Sequence, residues 1–236
     1  MPRLNIITAF DAAFAAVGDI AARSIGQYAA AIGQDFQVLP IPKGDRPAAW
    51  GKIAALYHAL GQGDHEMVMW VDADACFVRA DRDILDEIDP GKDLHLVMHR
   101  VTVGAAGHPG LYLAADRPNT GVMVLKKSDW TFRLLDAVWN KTEFLDHPLW
   151  ENAAVMDLLG YRVELTGNLA DNVPQPEWTD RLGVLPLEWN SCPTPKAGHC
   201  CETFDPIILH CVGLPFSERV AIMTEWTECR GIPAIP

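Results

Sequence analysis

Apolar runs of strand length alternate with helix-length segments through the first third of the chain, and this alternation restricts the fold more than any other feature. Leu4 to Thr8 is a short buried-strand run. A segment with Phe14, Val17, Ala21, Ile25, Tyr28 and Ile32 at three- and four-residue steps follows it, and Gly33 ends that helix. Phe36 to Ile41 reads as a second strand, broken by Pro40 and Pro42 into a loop carrying Lys43 and Arg46. The next helix starts near Pro47, shows Trp50, Ile53, Tyr57 and Leu60 on one face, and stops at Gly61 and Gly63. Met67 to Val71 is then a continuous apolar strand. Strands separated by helices of this length predict right-handed βαβ units and a mostly parallel sheet covered on both faces.

The remainder is less regular. Leu94 to Met98 is a strand candidate, and the Gly-, Ala- and Pro-rich run from Gly104 to Pro118 reads as a long loop. Asn119 to Leu125 reads as a turn plus strand. Ser128 stands where an N-cap would begin a helix through Trp139, with Trp130, Leu134 and Val138 as its buried stripe. A further helix is predicted from Glu151 to Leu159, closed by Gly160. Strands at Arg162 to Leu165, Gly183 to Leu187 and Ile207 to Cys211 and a last helix from Ser217 to Cys229 complete the pattern.

The chain has 236 residues, 49% of them hydrophobic, which suits a single domain with a sizeable core. Its 31 acidic and 19 basic side chains leave a net charge of -12, so no global positive field exists to attract nucleic acid or anionic lipid. An anionic ligand must then be held locally, by a cation, helix N-termini or a few placed basic residues. No apolar run approaches the roughly 18 residues of a membrane span, and the N-terminus reads as a strand rather than a signal peptide, which predicts a cytoplasmic protein. Four of six cysteines (Cys192, Cys200, Cys201, Cys211) crowd near the C-terminus. Buried thiols, a disulfide among Cys192, Cys200 and Cys201, or a zinc site with His199 are the readings open to them.

Asp72 and Asp74 directly follow the most apolar strand, and a spacing of two on extended backbone points both carboxylates to one side. Carboxyl ends of strands are where ligands bind in open α/β sheets. Two such charges repel unless a hard divalent cation such as Mg2+ or Mn2+ neutralises them, which brings chemistry suited to a diphosphate. Solvated loop acids are the plain alternative. A second apolar strand, from Ile207, ends in His210 and then Gly213. A neutral imidazole beside two carboxylates completes a Mn2+ site, and Gly213 would let backbone approach a phosphate; a hydrogen-bonded core histidine is the alternative.

Taken in order, Trp50-Gly51-Lys52, Met69 to Ala75, Asn119-Thr120-Gly121-Val122 with Ser128-Asp129-Trp130, Trp150 to Ala154, and Leu209 to Gly213 resemble the galactosyl- and xylosyltransferase family that includes fungal α-1,2-galactosyltransferases. They are more distantly similar to bacterial lipooligosaccharide α-galactosyltransferases. The resemblance implies an α/β GT-A fold, with a Rossmann-like nucleotide-binding half over 1–100 merged with a smaller acceptor half over 101–236 that carries the metal-ligand strand. It also implies a nucleotide-sugar donor, usually a UDP-sugar, a saccharide acceptor, and transfer with retention.

Carried over by residue, Asp72 and Asp74 would bind Mn2+ or Mg2+ and, with the intervening Ala73, the donor; His210 would be the third protein ligand, and Gly213 would meet the diphosphate. Thr8 and Phe10 would line the base pocket, though Phe10 equally suits the core. Lys52 would stand near the donor or be a solvated helix lysine. Asn119 and Gly121 would meet the donor sugar or simply form a tight turn. Glu151 and Asn152 would lie on the reacting face, Asn152 replacing the family's Gln, with its carbonyl oxygen supporting an oxocarbenium-like state; Glu151 also suits a first-turn helix acid. No basic residue follows in Leu214-Pro215-Phe216, where the bacterial relatives carry a lysine, which implies that the metal offsets most of the leaving-group charge. The full-length eukaryotic relatives carry an N-terminal anchor and stem, and a chain starting at the first strand suggests a bacterial or viral type. The alternatives are a nucleotide-sugar or glycan binding module without catalysis and a sugar nucleotidyltransferase, which the lack of a Gly-rich basic loop after the first strand disfavours.

Overall fold

Strand β3 (Met67–Val71) runs through the middle of the molecule with every side chain buried. The computed structural model of the chain describes residues 2–41, 44–104, 112–163, 172–193 and 201–229. On one edge β3 is parallel to β1 (Leu4–Ala9), itself parallel to β2 (Asp35–Leu39). On the other edge β3 pairs antiparallel with β6 (Tyr112–Lys126), β6 antiparallel with β5 (Leu94–Gly104), and β5 parallel with β7 (Leu182–Leu185). The sheet order is therefore β2-β1-β3-β6-β5-β7. β6 alone opposes the other strand directions, so the sheet is mostly parallel, as the alternating pattern predicts.

Side-chain alternation along the strands sends apolar groups to both faces, and each face is covered. Met67, Met69 and Val71, with Leu4 and Ile6, meet α1 (Ala15–Ala31) through Val17, Ala21, Ile25 and Tyr28. Val68, Trp70 and Ile7 meet α2 (Gly51–Gly61) and α3 (Asp129–Trp139) through Ile53, Leu56, Leu134 and Val138. α3 begins where the sequence places it, because Ser128 Oγ accepts the Thr131 N–H at 3.2 Å and satisfies an orphan donor of the first turn. α4 (Trp150–Leu159) packs against α3 and β6. A short α5 (Pro176–Thr179) and the C-terminal α6 (Phe216–Cys229) complete the helices named here. Among the described residues no helix is long and apolar enough to cross a membrane.

A second, two-stranded sheet matters most for the site. Here β4 (Ala75–Phe77) pairs antiparallel with β8 (Ile208–His210), setting Ala75 opposite His210 and Phe77 opposite Ile208. Tyr28 of α1 stacks on Phe77 with ring centroids 3.8 Å apart. Its hydroxyl accepts the Ile84 N–H at 2.9 Å and donates to the Arg82 carbonyl at 3.2 Å, which ties α1 to the segment after β4.

Several expectations are corrected. The run from Gly104 to Pro118 is not a loop: β5 extends to Gly104 and β6 begins at Tyr112, so both arms of a long hairpin replace it outside the undescribed residues 105–111. Asn119 to Gly121 is not a turn before a strand but lies within β6. There the β5 partner jumps from Met123 to Asn119, so Thr120, Gly121 and Val122 bulge out of the β5 ladder. Residues 162–163 are not in a strand, and 164–165 lie outside the described residues. After β7 the chain turns into a single 3-10 helix, Leu187–Asn190. Lys43, His199 and Cys200 also fall outside the described residues, while Cys192 and Cys211 are buried thiols outside any disulfide.

Gly160 closes α4 at φ 83°, in the left-handed region, and a Cβ there would overlap the Val173 carbonyl. Gly160→Ala is expected to cost about 1–3 kcal/mol through backbone strain and overpacking. Thermal denaturation should show a melting temperature lower by roughly 5 °C; an unchanged transition would contradict this account of the cap.

Candidate active site

Asp72 and Asp74 flank the turn that carries the chain from β3 into β4, and both carboxylates come to His210 at the end of β8. His210 Nε2 lies 3.3 Å from Asp74 Oδ1 and 3.7 Å from Asp72 Oδ2. One ligand atom from each of the three residues falls within 4.8 Å of the others. The β4–β8 pairing is the local cause: Ala75 faces His210 in register, and the Cys211 N–H donates to the Asp74 carbonyl at 2.8 Å. The three positions that the sequence singles out as ligands therefore converge.

The donor set fits a hard or borderline divalent cation, with two carboxylates and one imidazole. A further sign is that His210 Nε2 is buried and, beyond its ion-pair approach to Asp74, makes no well-formed hydrogen bond although it points at the acids. A buried polar atom without a partner is costly and calls for an explanation. A cation between the imidazole and the carboxylates supplies one. Burial disfavours the imidazolium, yet Cys192 and Asp74 outweigh it and hold the His210 pKa well above its ordinary value. Burial would likewise raise the Asp74 carboxyl, but His210 and then Arg219 more than offset it, so Asp74 lies below the usual carboxylate value.

The close fit of imidazole to strand depends on a glycine. A Cβ at Gly121 would overlap the His210 ring, so the β6 bulge presents bare backbone to the ligand side chain. The Gly121 carbonyl accepts the Asp72 N–H at 2.8 Å, tying the same residue to the first acid. Gly213, at φ 73°, turns the chain after β8 in the left-handed region.

Lys52 sits behind the acids, 5% exposed, and is not a solvated helix lysine. Its ammonium is 2.9 Å from Asp72 Oδ1 and 2.7 Å from Glu151 Oε1, and it donates to the Thr120 carbonyl at 3.1 Å. Burial alone would lower the Lys52 pKa, but the carboxylates of Asp72 and Glu151 prevail and raise it. Glu151 is a first-turn acid of α4 and is correspondingly buried. Burial pushes its carboxyl up, and Lys52 offsets only part of that shift. Asn152 uses its carbonyl oxygen to accept the Thr120 N–H at 2.8 Å, which ties α4 to the bulge.

Thr8 and Phe10 stand one strand away, at the carboxyl end of β1. Thr8 is fully buried with its hydroxyl oxygen unpartnered, and Phe10 lays its ring on Gly18 of α1, where a Cβ would overlap it. Ala73 is buried between the two acids.

The sequence reading missed three groups. Trp70 Nε1 donates to Asp72 Oδ1 at 2.6 Å, an i, i+2 contact on one face of β3. Arg219, in the first turn of α6, places a guanidinium nitrogen 3.1 Å from Asp74 Oδ2. It lies three residues beyond Leu214-Pro215-Phe216, the stretch without a basic residue; inspecting the start of the following helix for basic residues would have found it. Asn190 bonds His210 Nδ1 from behind at 2.8 Å, and nothing in its sequence neighbourhood marks it.

Removing Lys52 would strand Glu151 and Asp72 without their cation. Lys52→Met is expected to destabilise the fold by about 3–5 kcal/mol, and the double variant with Glu151→Gln should recover part of that loss. Denaturant melts of the variants check this, and equal midpoints for wild type and Lys52→Met would contradict it.

No family model matches the chain, and no curated protein matches it in sequence. Solved structures do match in fold. A glycosyltransferase involved in the glycosylation of the major capsid of PBCV-1 aligns with a TM-score of 0.64 at 16% identity, over 94% of this chain and 98% of its own. The galactosyltransferase LgtC, in complex with donor and acceptor sugar analogs, aligns with a TM-score of 0.52 at 13% identity, over 96% of this chain and 99% of its own. For the bifunctional glycosyltransferase WbbM the TM-score is 0.53 at 13% identity, and the match covers 96% of this chain but 51% of that one. At such identities the likeness is one of fold, and the fold of this chain is GT-A.

Proposed function

We propose that the chain is a metal-dependent glycosyltransferase of the galactosyl- and xylosyltransferase type. It moves a hexose or pentose from a nucleotide diphosphate sugar, a UDP-sugar, to a hydroxyl of a saccharide acceptor with retention of configuration. The observation that carries this reading is the convergence of Asp72, Asp74 and the buried Nε2 of His210, which makes no hydrogen bond, at the carboxyl end of the central strand. The fold shared with glycosyltransferases supports it, including one whose structure holds donor and acceptor sugar analogs.

In this reading Asp72, Asp74 and His210 hold Mn2+ or Mg2+, which when bound supplies positive charge to the departing nucleotide diphosphate. The surrounding residues set the balance. Asp72, Asp74 and Glu151 face Lys52 and Arg219, so with His210 neutral as a ligand the cluster carries surplus negative charge that a divalent ion would convert to a positive surplus matched to a diphosphate. Lys52 holds Asp72 and Glu151 in place, and Arg219 adds a cation on the side of Asp74. Ala73 and Gly213 let backbone approach the phosphates. Thr8 and Phe10 line the base pocket, and Asn119 and Gly121 border the donor sugar.

Glu151 is held by Lys52, and Asn152 is a weak nucleophile whose carbonyl oxygen is engaged by Thr120. Neither is therefore placed to form a covalent sugar intermediate, which supports front-face substitution assisted by the leaving phosphate. The nucleotide-binding half spans 1–100 and the acceptor half 101–236, in one domain.

Calorimetry with UDP and Mn2+ and turnover of UDP-sugars with and without acceptor test the reading. Nucleotide binding should require Mn2+, Asp74→Ala should abolish that requirement together with the affinity, and a chelator should stop turnover. Turnover undiminished in the chelator would sink the reading.

A further inference from the structure

On the side of His210 away from the acids lies the amide of Asn190, which none of the roles above requires, joined to that of Asn119. Asn190 is fully buried at the end of the Leu187–Asn190 turn. Its Oδ1 is 2.8 Å from His210 Nδ1, and its Nδ2 donates to Asn119 Oδ1 at 2.9 Å. Asn119 Oδ1 also accepts the Gly121 N–H at 2.8 Å.

These bonds admit one assignment of donors and acceptors. A backbone N–H can only donate, so the atom of Asn119 that meets Gly121 is its oxygen. That oxygen then needs a donor from Asn190, which turns the Asn190 amide nitrogen toward Asn119 and its oxygen toward the imidazole. An amide oxygen can only accept, so Nδ1 of His210 carries a hydrogen, and in the neutral ring that a cation would bind Nε2 is the free atom.

The Asn190 backbone is itself held. Its carbonyl accepts from His99 Nε2 at 2.7 Å, and the adjacent Ser191 exchanges backbone bonds with β8, donating to the Ile208 carbonyl at 3.0 Å and accepting the His210 N–H at 2.8 Å. The amide is therefore tied, through Ser191, to the strand that presents the ligand. A backbone donor in the β6 bulge thus dictates, through two amides, that the nitrogen of His210 turned away from Asp72 and Asp74 carries a hydrogen.

We propose that Asn190 is a positioning residue: it selects the tautomer of His210, locks the ring, and so sets the affinity of the Asp72–Asp74–His210 cluster for a divalent cation. The proposal rests on the reading of that cluster as a metal site. A hydrogen-bonded partner behind a metal-binding imidazole typically contributes 10- to 100-fold in affinity, so an effect of roughly that size is expected here.

The test is Mn2+ titration of the full chain followed by electron paramagnetic resonance of the free ion, with no nucleotide or acceptor present. Wild type, Asn190→Ala and Asn190→Asp are compared, and melting curves are recorded for each. Asn190→Ala removes the acceptor and should weaken Mn2+ binding about 10- to 100-fold. Asn190→Asp keeps an oxygen for Nδ1–H and should stay within about threefold of wild type, well short of that loss. A purely structural amide would not separate the two variants in this way.

Wild-type protein that binds no Mn2+ would overturn the metal reading and the proposal with it. Tight wild-type binding with equally tight binding by Asn190→Ala, or equal losses in both variants, would overturn the proposal alone. Should Asn190→Ala fail to show a cooperative melt, Asn190→Asp decides: near-native affinity supports the role, and a loss of about tenfold or more overturns it.

Discussion

The pairing of β4 with β8 is the contact on which the site depends. Each strand is three residues long and fully buried, so its backbone amides must find partners inside the protein. Ala75, Cys76 and Phe77 lie opposite His210, Leu209 and Ile208, with the Cys211 N–H donating to the Asp74 carbonyl at one end, the Val78 N–H to the Ile207 carbonyl at the other, and the outward Ala75 and His210 N–H groups taken up by the Asp72 and Ser191 carbonyls. That register joins the segment after the acidic turn to a segment near the other end of the chain and sets an imidazole beside two carboxylates. Tyr28 stacked on Phe77 braces the arrangement from α1. Without this pairing the acids would be two charges at a strand end.

Around that junction the protein manages a concentration of charge that its net charge of -12 would otherwise worsen. Lys52 is the main device. Burying an ammonium costs several kcal/mol unless its partners are close and well oriented, and two carboxylates within 3 Å meet that condition. Because Lys52 also bonds the Thr120 carbonyl, one side chain links α2, the β3 terminus, the β6 bulge and the first turn of α4. The bulge does the complementary task. It lifts Thr120 and Gly121 out of the β5 ladder so that bare backbone meets His210 and the first acid.

Much of this was legible before any coordinates. The apolar run Met67 to Val71, the stripe along α1, the Ser128 cap and Gly160 as a helix stop are local signals, and local backbone preferences together with burial suffice to produce them. The acids and His210 stood out because each terminates an apolar strand. Other features were hidden for identifiable reasons. β4 is too short to show a period. The hairpin arms were masked by Gly104 and Pro118, which read as loop residues until a partner strand supplies their ladder. The bulge at Thr120 exists only as a difference between two registers, and Arg219 was overlooked because its reach to Asp74 depends on how α6 docks.

The amino-acid sequence by itself determined the strands and helices of the first third, the limits of α3 and α4, and which side chains have the chemistry to bind a cation, since these follow from neighbours a few positions apart. Only the tertiary structure decided that Asp72, Asp74 and His210 meet, that Lys52 is shared between Asp72 and Glu151, and that Asn190 stands behind the imidazole. Those contacts join residues separated by long stretches of chain, and their geometry is set by strand register and helix docking, which the whole core determines.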